Sequence, residues 1–230
     1  MARGFLLHGR PFKESSVIAA FVTDSDGRID LLARSVRGAR NRKTVPPMPF
    51  CQYEMSWTGR GNLRHLQSCE PVGRAFRLEG QNLFCGFYLN ELLYRLLPHH
   101  EPEHVIVDAY ADVLQRLEVT QDVEPLLRNF ELLLLDALGY GLDLMRDVDG
   151  NLLDRQAHYR FEPEKGLLPC TPDMPPGILA ASGATYLALG CRDFSDPAVR
   201  QFAKVVLRSV LALYLGNRPL QSRELFARPQ

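Results

Sequence analysis

The hydrophobic period of this chain changes near Val72, from short strand-like runs before it to mainly helical spacing after it. Gly4–His8, Ser16–Thr23, Arg28–Ala33, Phe50–Trp57 and Leu63–Ser68 are apolar, β-branched or aromatic enough to read as short strands. Asp24-Ser25-Asp26-Gly27 and Thr58-Gly59-Arg60-Gly61 are turn signals, since Asp and Gly tolerate the positive φ of tight hairpins. Five strands in so short a length predict a small closed or nearly closed barrel. Pro46, Pro47 and Pro49 exclude a central strand between the third and fourth, so that segment is a loop or an extended arm.

Beyond Val72 the spacing becomes helical. Gln81–Leu97 puts Leu83, Phe87, Asn90 or Glu91, Tyr94 and Leu97 at helical intervals before Pro98 stops it. Glu103–Leu117 reads as a second helix. Asp122–Leu138 reads as a third, with Pro125 tolerated in its first turn and Gly139 and Gly141 ending it. Pro176–Leu189 and Pro197–Leu215 are the last two long helices, and Ser222–Phe226 a short terminal turn. Between them the period fails over Asp147–Leu168, where Asp149-Gly150 signals a turn and HYRFEPEKGLL reads as a hairpin. The expected organisation is a β + α multidomain chain. A β-barrel spans residues 1–78 and an all-α helical domain spans 79–230, with an irregular or hairpin insert at 143–170.

Charge divides at the same place. Residues 1–78 carry 13 Lys+Arg against 6 Asp+Glu, and residues 79–230 carry 14 against 21, within a chain of net charge +0. Positive charge concentrated on one module attracts a polyanion, whereas a uniformly neutral surface does not. The densest run is Arg34, Arg37, Arg40, Arg42 and Lys43, with no acid among them. Arginine forks bond phosphate oxygens and stack on bases, and each neutralised phosphate releases a condensed counterion. Arg60, Arg64 and Arg74 add charge elsewhere on the module. A plain solvated loop is the bland alternative. An arginine-rich, unpaired run on a strand-built module favours nucleic acid. Of the aromatics Phe12, Phe21, Phe50, Tyr53 and Trp57, most must fill the barrel interior. Tyr53 and Trp57 are the two worth naming as base platforms, and neither is taken as a site.

A second pattern lies on the last long helix. Arg200, Lys204 and Arg208 recur every four residues as a basic stripe, while Phe202, Val206, Leu213 and Tyr214 turn elsewhere. The stripe is either an ordinary polar face or a dock for an acidic peptide, a role that Arg128 beside Leu127 and Phe130 also suits.

Several function classes drop out. The chain has no P-loop, nucleophile elbow or G-x-G-x-x-G, and Asp147 and Asp149 sit in a turn, so no catalytic residues are expected. His99, His100 and His104 read as an exposed interhelix turn, and without a Cys-x-x-Cys pair a structural zinc has no ligand set. Neither metal nor cofactor is expected. Cys51, Cys69, Cys85, Cys170 and Cys191 are odd in number and scattered, which suits reduced thiols in a cytoplasm. No apolar run approaches the roughly 20 residues that span a bilayer, and MARGFLLHGR is too short in apolar residues for a signal-peptide core.

These residues also resemble a family. FLLHGRPFKESSVIAAFVTDSDGRIDLLA is similar to the N-terminal barrel of the bacterial recombination mediators of the RecO family, and RGARNRK to their basic loop. FYLNELLYRLL, LLRNFELLLLDALGYG and NRPLQSRELF resemble their helical domain, in the right order along nearly the whole chain. The resemblance implies an oligonucleotide/oligosaccharide-binding (OB) barrel that binds single- and double-stranded DNA and anneals strands. It also implies cooperation with RecR in loading the RecA recombinase, in the cytoplasm at the nucleoid. On the helical domain it implies a dock for the acidic C-terminal tail of single-stranded DNA-binding protein (SSB), for which Arg128, Phe130, Arg200, Lys204 and Arg208 are the candidates. Many relatives insert a four-cysteine zinc module after the Leu-Gly-Tyr-Gly stretch. Asp143–Cys170 holds a single cysteine, so a degenerate, zinc-free insert is expected. Residues 40–50 are shorter and richer in proline than in some relatives. The alternative from another class is an RNA-binding translation or processing factor on the same kind of barrel, since no residue visibly selects a 2′-hydroxyl. A protein-binding adaptor whose basic arm meets an acidic partner is a third.

Overall fold

Five strands close on themselves in the computed structural model, which describes residues 1–14, 16–34, 47–102, 104–175 and 178–227. They are β1 (Ala2–Phe12), β2 (Ser16–Thr23), β3 (Gly27–Arg34), β4 (Gln52–Thr58) and β5 (Leu63–Pro71), in barrel order β1-β2-β3-β5-β4. Each neighbouring pair is antiparallel except β3 and β5, which run parallel through Asp30↔Leu63, Leu31↔Arg64 and Leu32↔His65. A five-stranded Greek-key barrel of this kind is OB-like. The expected strands recur, with β1 prolonged from His8 to Phe12.

Alternation along the strands explains the closure. Leu6, Ala19, Phe21, Ile29, Leu31, Cys51, Tyr53 and Met55 point inward and form the barrel core, with Trp57 and Leu66 packed partly against it. Tyr53 is buried, and its hydroxyl accepts the Met48 N–H at 2.9 Å, so this ring fills the interior. In β1 the register slips between Leu6 and His8, leaving Leu7 as an extra residue. Phe5 faces away from the barrel core and meets Tyr110 edge-on at 5.0 Å.

Helices α1 (Gly80–Leu96), α2 (His104–Leu117), α3 (Glu124–Ala137), α4 (Gly183–Gly190), α5 (Pro197–Leu215) and α6 (Ser222–Ala227) follow, with strands β6 (His158–Glu162), β7 (Gly166–Cys170) and β8 (Ala180–Ser182) between α3 and α4. The boundary expected at residue 78 lies between the end of β5 and the start of α1. Compactness divides the chain elsewhere, into Met1–Val123 with Arg218–Gln230, and Glu124–Asn217. Helices α1 and α2 belong with the barrel because they lie on β1 and β2. The buried Asn90 of α1 fastens them, donating to the Leu6 carbonyl at 3.5 Å and accepting from the Tyr110 hydroxyl of α2. Gly27 is required where the α1–α2 turn meets β3. Its φ is +61°, and a Cβ there would stand 1.9 Å from the Glu101 carbonyl oxygen.

In the second unit α3 packs on α5, and the sheet runs β7-β6-β8. The β6–β7 pair is the hairpin read from HYRFEPEKGLL. One expectation is corrected: Ala180–Ser182, within the helix expected over Pro176–Leu189, is a strand paired with β6, and the helix begins at Gly183. Ser182 supplies the reason, because its hydroxyl accepts the Thr185 N–H at 3.3 Å and caps the helix there. Gly183 is fixed by crowding, with Asp154 O only 2.0 Å from where a Cβ would sit.

Candidate nucleic-acid interface

Of the basic residues singled out in the first module, Arg37, Arg40, Arg42 and Lys43 lie outside the described residues. Arg34 closes β3, in register with Ser16 of β2. Arg60 stands exposed at the tip of the β4–β5 turn, between Gly59 at φ +102° and Gly61 at φ +85°. Two residues free to take positive φ make that tight reversal without strain. Arg60 has no ion pair among the described residues.

Arg64 is placed differently. One guanidinium nitrogen donates to Asp26 Oδ1 at 2.8 Å, and the other lies 3.1 Å from His100 Nδ1, with the side chain largely covered. Burial alone would raise the Asp26 carboxyl, but hydrogen bonds from Arg64 and Ser25 outweigh it and hold it below the ordinary value. Arg64 therefore braces the β2–β3 turn against the α1–α2 turn, and its charge is largely compensated. Arg74 is compensated as well, by a two-pronged pair with Glu118 at 2.5 and 2.8 Å.

Among the described residues, Arg34 and Arg60 do not lie at one end of the barrel. Asp30 pairs with Leu63 just after the Arg60 turn, and Arg34 lies four residues further along β3. At about 3.3 Å per residue that separation is about 13 Å. Arg60 and Arg34 thus mark opposite ends of the β3–β5 seam.

Of the three histidines, His99 bridges to Gly27 and Arg28 of β3. His100 N–H donates to the Arg28 carbonyl at 3.1 Å, and His99 is held below its usual range by burial and by the Arg28 charge. Arg28 lies over the Tyr94 ring at 4.4 Å. No group of three or more His, Cys, Asp or Glu that could hold a metal occurs among the described residues.

On the second unit the basic stripe is graded in exposure. Arg208 is exposed, Lys204 is half-buried with Nζ 3.1 Å from Glu124 Oε1, and Arg200 donates to the Phe194 carbonyl. Arg128 and Phe130 are buried: Arg128 pairs at 2.7 Å with Glu131, a carboxylate with 0% exposure. These two side chains expose little surface. Sequence spacing placed Arg128 beside apolar neighbours correctly, but the demand of Glu131 three residues on turned it inward.

The family model described as Recombination protein O N terminal matches residues 1–75, and Recombination protein O C terminal matches residues 77–224. The chain belongs to the recombination protein O family. The DNA repair protein RecO of Pseudomonas aeruginosa (strain LESB58) is 42% identical over 222 residues, 96% of this chain and 92% of that protein. The DNA repair protein RecO of Actinobacillus succinogenes is 40% identical over 226 residues, covering 98% and 94%. That of Methylococcus capsulatus is 39% identical over 223 residues, covering 96% and 90%. As a recombination protein O, the chain has a role in DNA repair and recombination. Among the described residues no helix is long and apolar enough to cross a membrane.

Proposed function

We propose that this chain is a cytoplasmic, nucleoid-associated recombination mediator without catalytic residues. It binds single- and double-stranded DNA, anneals complementary strands and engages the SSB tail. With RecR it loads RecA on SSB-coated single strands. The observation that carries this reading is an OB-like barrel in the recombination protein O family, built from a stretch with 13 Lys+Arg against 6 Asp+Glu.

Annealing needs no chemical step. Two strands must be held close while fixed cations screen their mutual repulsion, which is work for Arg34, Arg37, Arg40, Arg42 and Lys43 together with Arg60. Arg64, bound to Asp26, holds the turns of the barrel together. For the SSB tail, exposed Arg208 and half-buried Lys204 of the α5 stripe supply the charge, with Arg200 further along the same helix. Arg128 and Phe130, buried on α3, are the candidates for the floor of that dock.

The test is oligonucleotide affinity against salt concentration. If about five phosphates are contacted, log affinity for a single strand falls with log salt at a slope near −3.5. Replacing Arg34, Arg37, Arg40, Arg42 and Lys43 with Ala flattens that slope. An unchanged slope moves the contact elsewhere, and a wild-type chain that ignores DNA in dilute buffer ends this reading.

A further inference from the structure

The seam between β3 and β5 opens at its far end. The parallel ladder stops at Leu32↔His65. Beyond it, among the described residues, Ala33 and Arg34 pair only with β2, through Val17 and Ser16, and β5 continues on β4. Among the described residues each strand therefore turns one edge without a ladder partner toward the gap, an arrangement that closed barrels otherwise avoid. Just past the end of that ladder, β5 carries a bulge in its pairing with β4. Ser68 opposes Ser56 and Leu66 opposes Trp57, which leaves Gln67 as the extra residue. Bulges re-aim side chains and recur beside functional sites. Here Gln67 turns to the barrel's outer side, where its Nε2 donates to Thr58 Oγ1 at 3.1 Å.

The result is a groove of about 230 Å³ lined by Leu32, Leu66, Thr58, His65 and Gln67. That volume is several times the roughly 30 Å³ of a liquid water. It is less than the roughly 300–1,000 Å³ of pockets that enclose a whole small-molecule ligand. Such a space suits one planar ring. Its lining has the parts that a base needs: two leucines, an imidazole face, an amide with donor and acceptor, and a hydroxyl. Charge selects the occupant. The groove lies along the seam between exposed Arg60 at one end and, at the other, Arg34, which opens the basic run of the sequence.

We propose that this opened seam is a subsite for one nucleobase of single-stranded DNA, with His65 stacking on the ring and Gln67 and Thr58 bonding its edge. The inference rests on the reading that the chain binds DNA. It adds a contact to the base, where the arginines supply contacts to phosphate. Base contacts of this kind carry little salt dependence, whereas phosphate contacts carry nearly all of it.

The experiment compares the full chain on two single-stranded oligomers of equal length and charge, one of thymidines and one of abasic units. Wild type binds the base-bearing oligomer more tightly. His65→Ala reduces that preference about five-fold, in line with the cost of losing one stacking platform, and Gln67→Ala reduces it by a similar factor through one lost hydrogen bond. Both leave abasic affinity and the salt slope unchanged, and thermal melting confirms that the variants are folded. Equal wild-type affinity for both oligomers overturns the subsite while DNA binding stands. Full preference retained in both variants also overturns it, and assigns the open edges to another occupant such as an added peptide strand. A wild-type chain that binds neither oligomer sinks the DNA reading itself.

Discussion

Glu91 of α1 caps α6 by accepting both the backbone N–H of Ser222 at 2.8 Å and its hydroxyl at 2.7 Å. The same carboxylate accepts the Gln221 N–H at 2.9 Å. One turn along α1, Arg95 donates to the carbonyls of Arg218 and Pro219 at 2.6 and 3.0 Å, and Phe84 meets Phe226 at 5.7 Å. A side chain in the first helix thus anchors the last, because an acid at a helix N-terminus satisfies donors that the helix itself cannot.

Glu91→Ala removes the acceptor for three donors and is expected to cost about 1–3 kcal/mol in urea unfolding. Amide exchange over 221–226 accelerates in the variant. The pH dependence has a definite sign. Burial alone would raise the Glu91 carboxyl, yet the hydrogen bonds from Ser222 and Gln221 and the charge of Arg95 hold it below the ordinary 4.5. Its contribution is therefore present above that value and lost as pH falls through the lowered pKa. A clasp that survives Glu91→Ala with unchanged exchange would show that the aromatic contact suffices.

Glu118 at the end of α2 gives a second acid-sensitive contact. Hydrogen bonds from Arg74, and from the Arg77 N–H at 2.6 Å, bring its carboxyl down to about 2. The clamp is complete above pH 4.5 and weakens as pH falls from there toward 2. Urea midpoints measured from pH 5 to pH 3 fall for wild type, and Glu118→Gln flattens part of that fall. Parallel curves for the two proteins count against the clamp.

Much of this was legible because local chemistry and global fold agree. SVIAAFVT is β-branched, bounded by turn residues, and becomes β2 with the same limits. The helix read over Pro197–Leu215 likewise keeps its bounds, and Asp196 caps it through the Ala198 N–H at 2.7 Å. What was not legible depends on partners distant in sequence. Arg60 and Arg64 are alike as letters. One is exposed and the other bound to Asp26, 38 residues earlier, and no spacing rule announces that pairing. The short apolar run at Ile178–Ala181 suits helix or strand equally, and β6 decided it. The bulge at Gln67 has no signal in the sequence.

The contrast between those two arginines is testable. Arg60→Ala lowers single-strand affinity and makes the salt slope shallower by about 0.7, while stability stays within about 0.5 kcal/mol of wild type. Arg64→Ala costs about 1–3 kcal/mol in unfolding by stranding Asp26, with a smaller direct effect on the slope. Equal effects of both variants on the slope would mean that Arg64 leaves Asp26 to meet DNA.

Arg128 separates structure from recognition in the second unit. Its partner Glu131 has 0% side-chain exposure, so Arg128→Ala removes the guanidinium that lies 2.7 Å from an acid in the interior of the helix packing. Breaking such a buried pair from one side costs about 3–5 kcal/mol, whereas replacing both members with apolar residues of similar volume is often neutral or stabilising. Arg128→Ala is therefore expected to lower the melting temperature sharply, and Arg128→Met with Glu131→Leu to restore most of it. Arg208→Glu, on the exposed side of α5, leaves melting near wild type and weakens binding of an SSB-tail peptide in titration calorimetry. The double variant then decides the role of Arg128. Tail affinity that returns with stability makes Arg128 a packing residue, whereas a folded double variant that has lost the tail makes its guanidinium part of the dock.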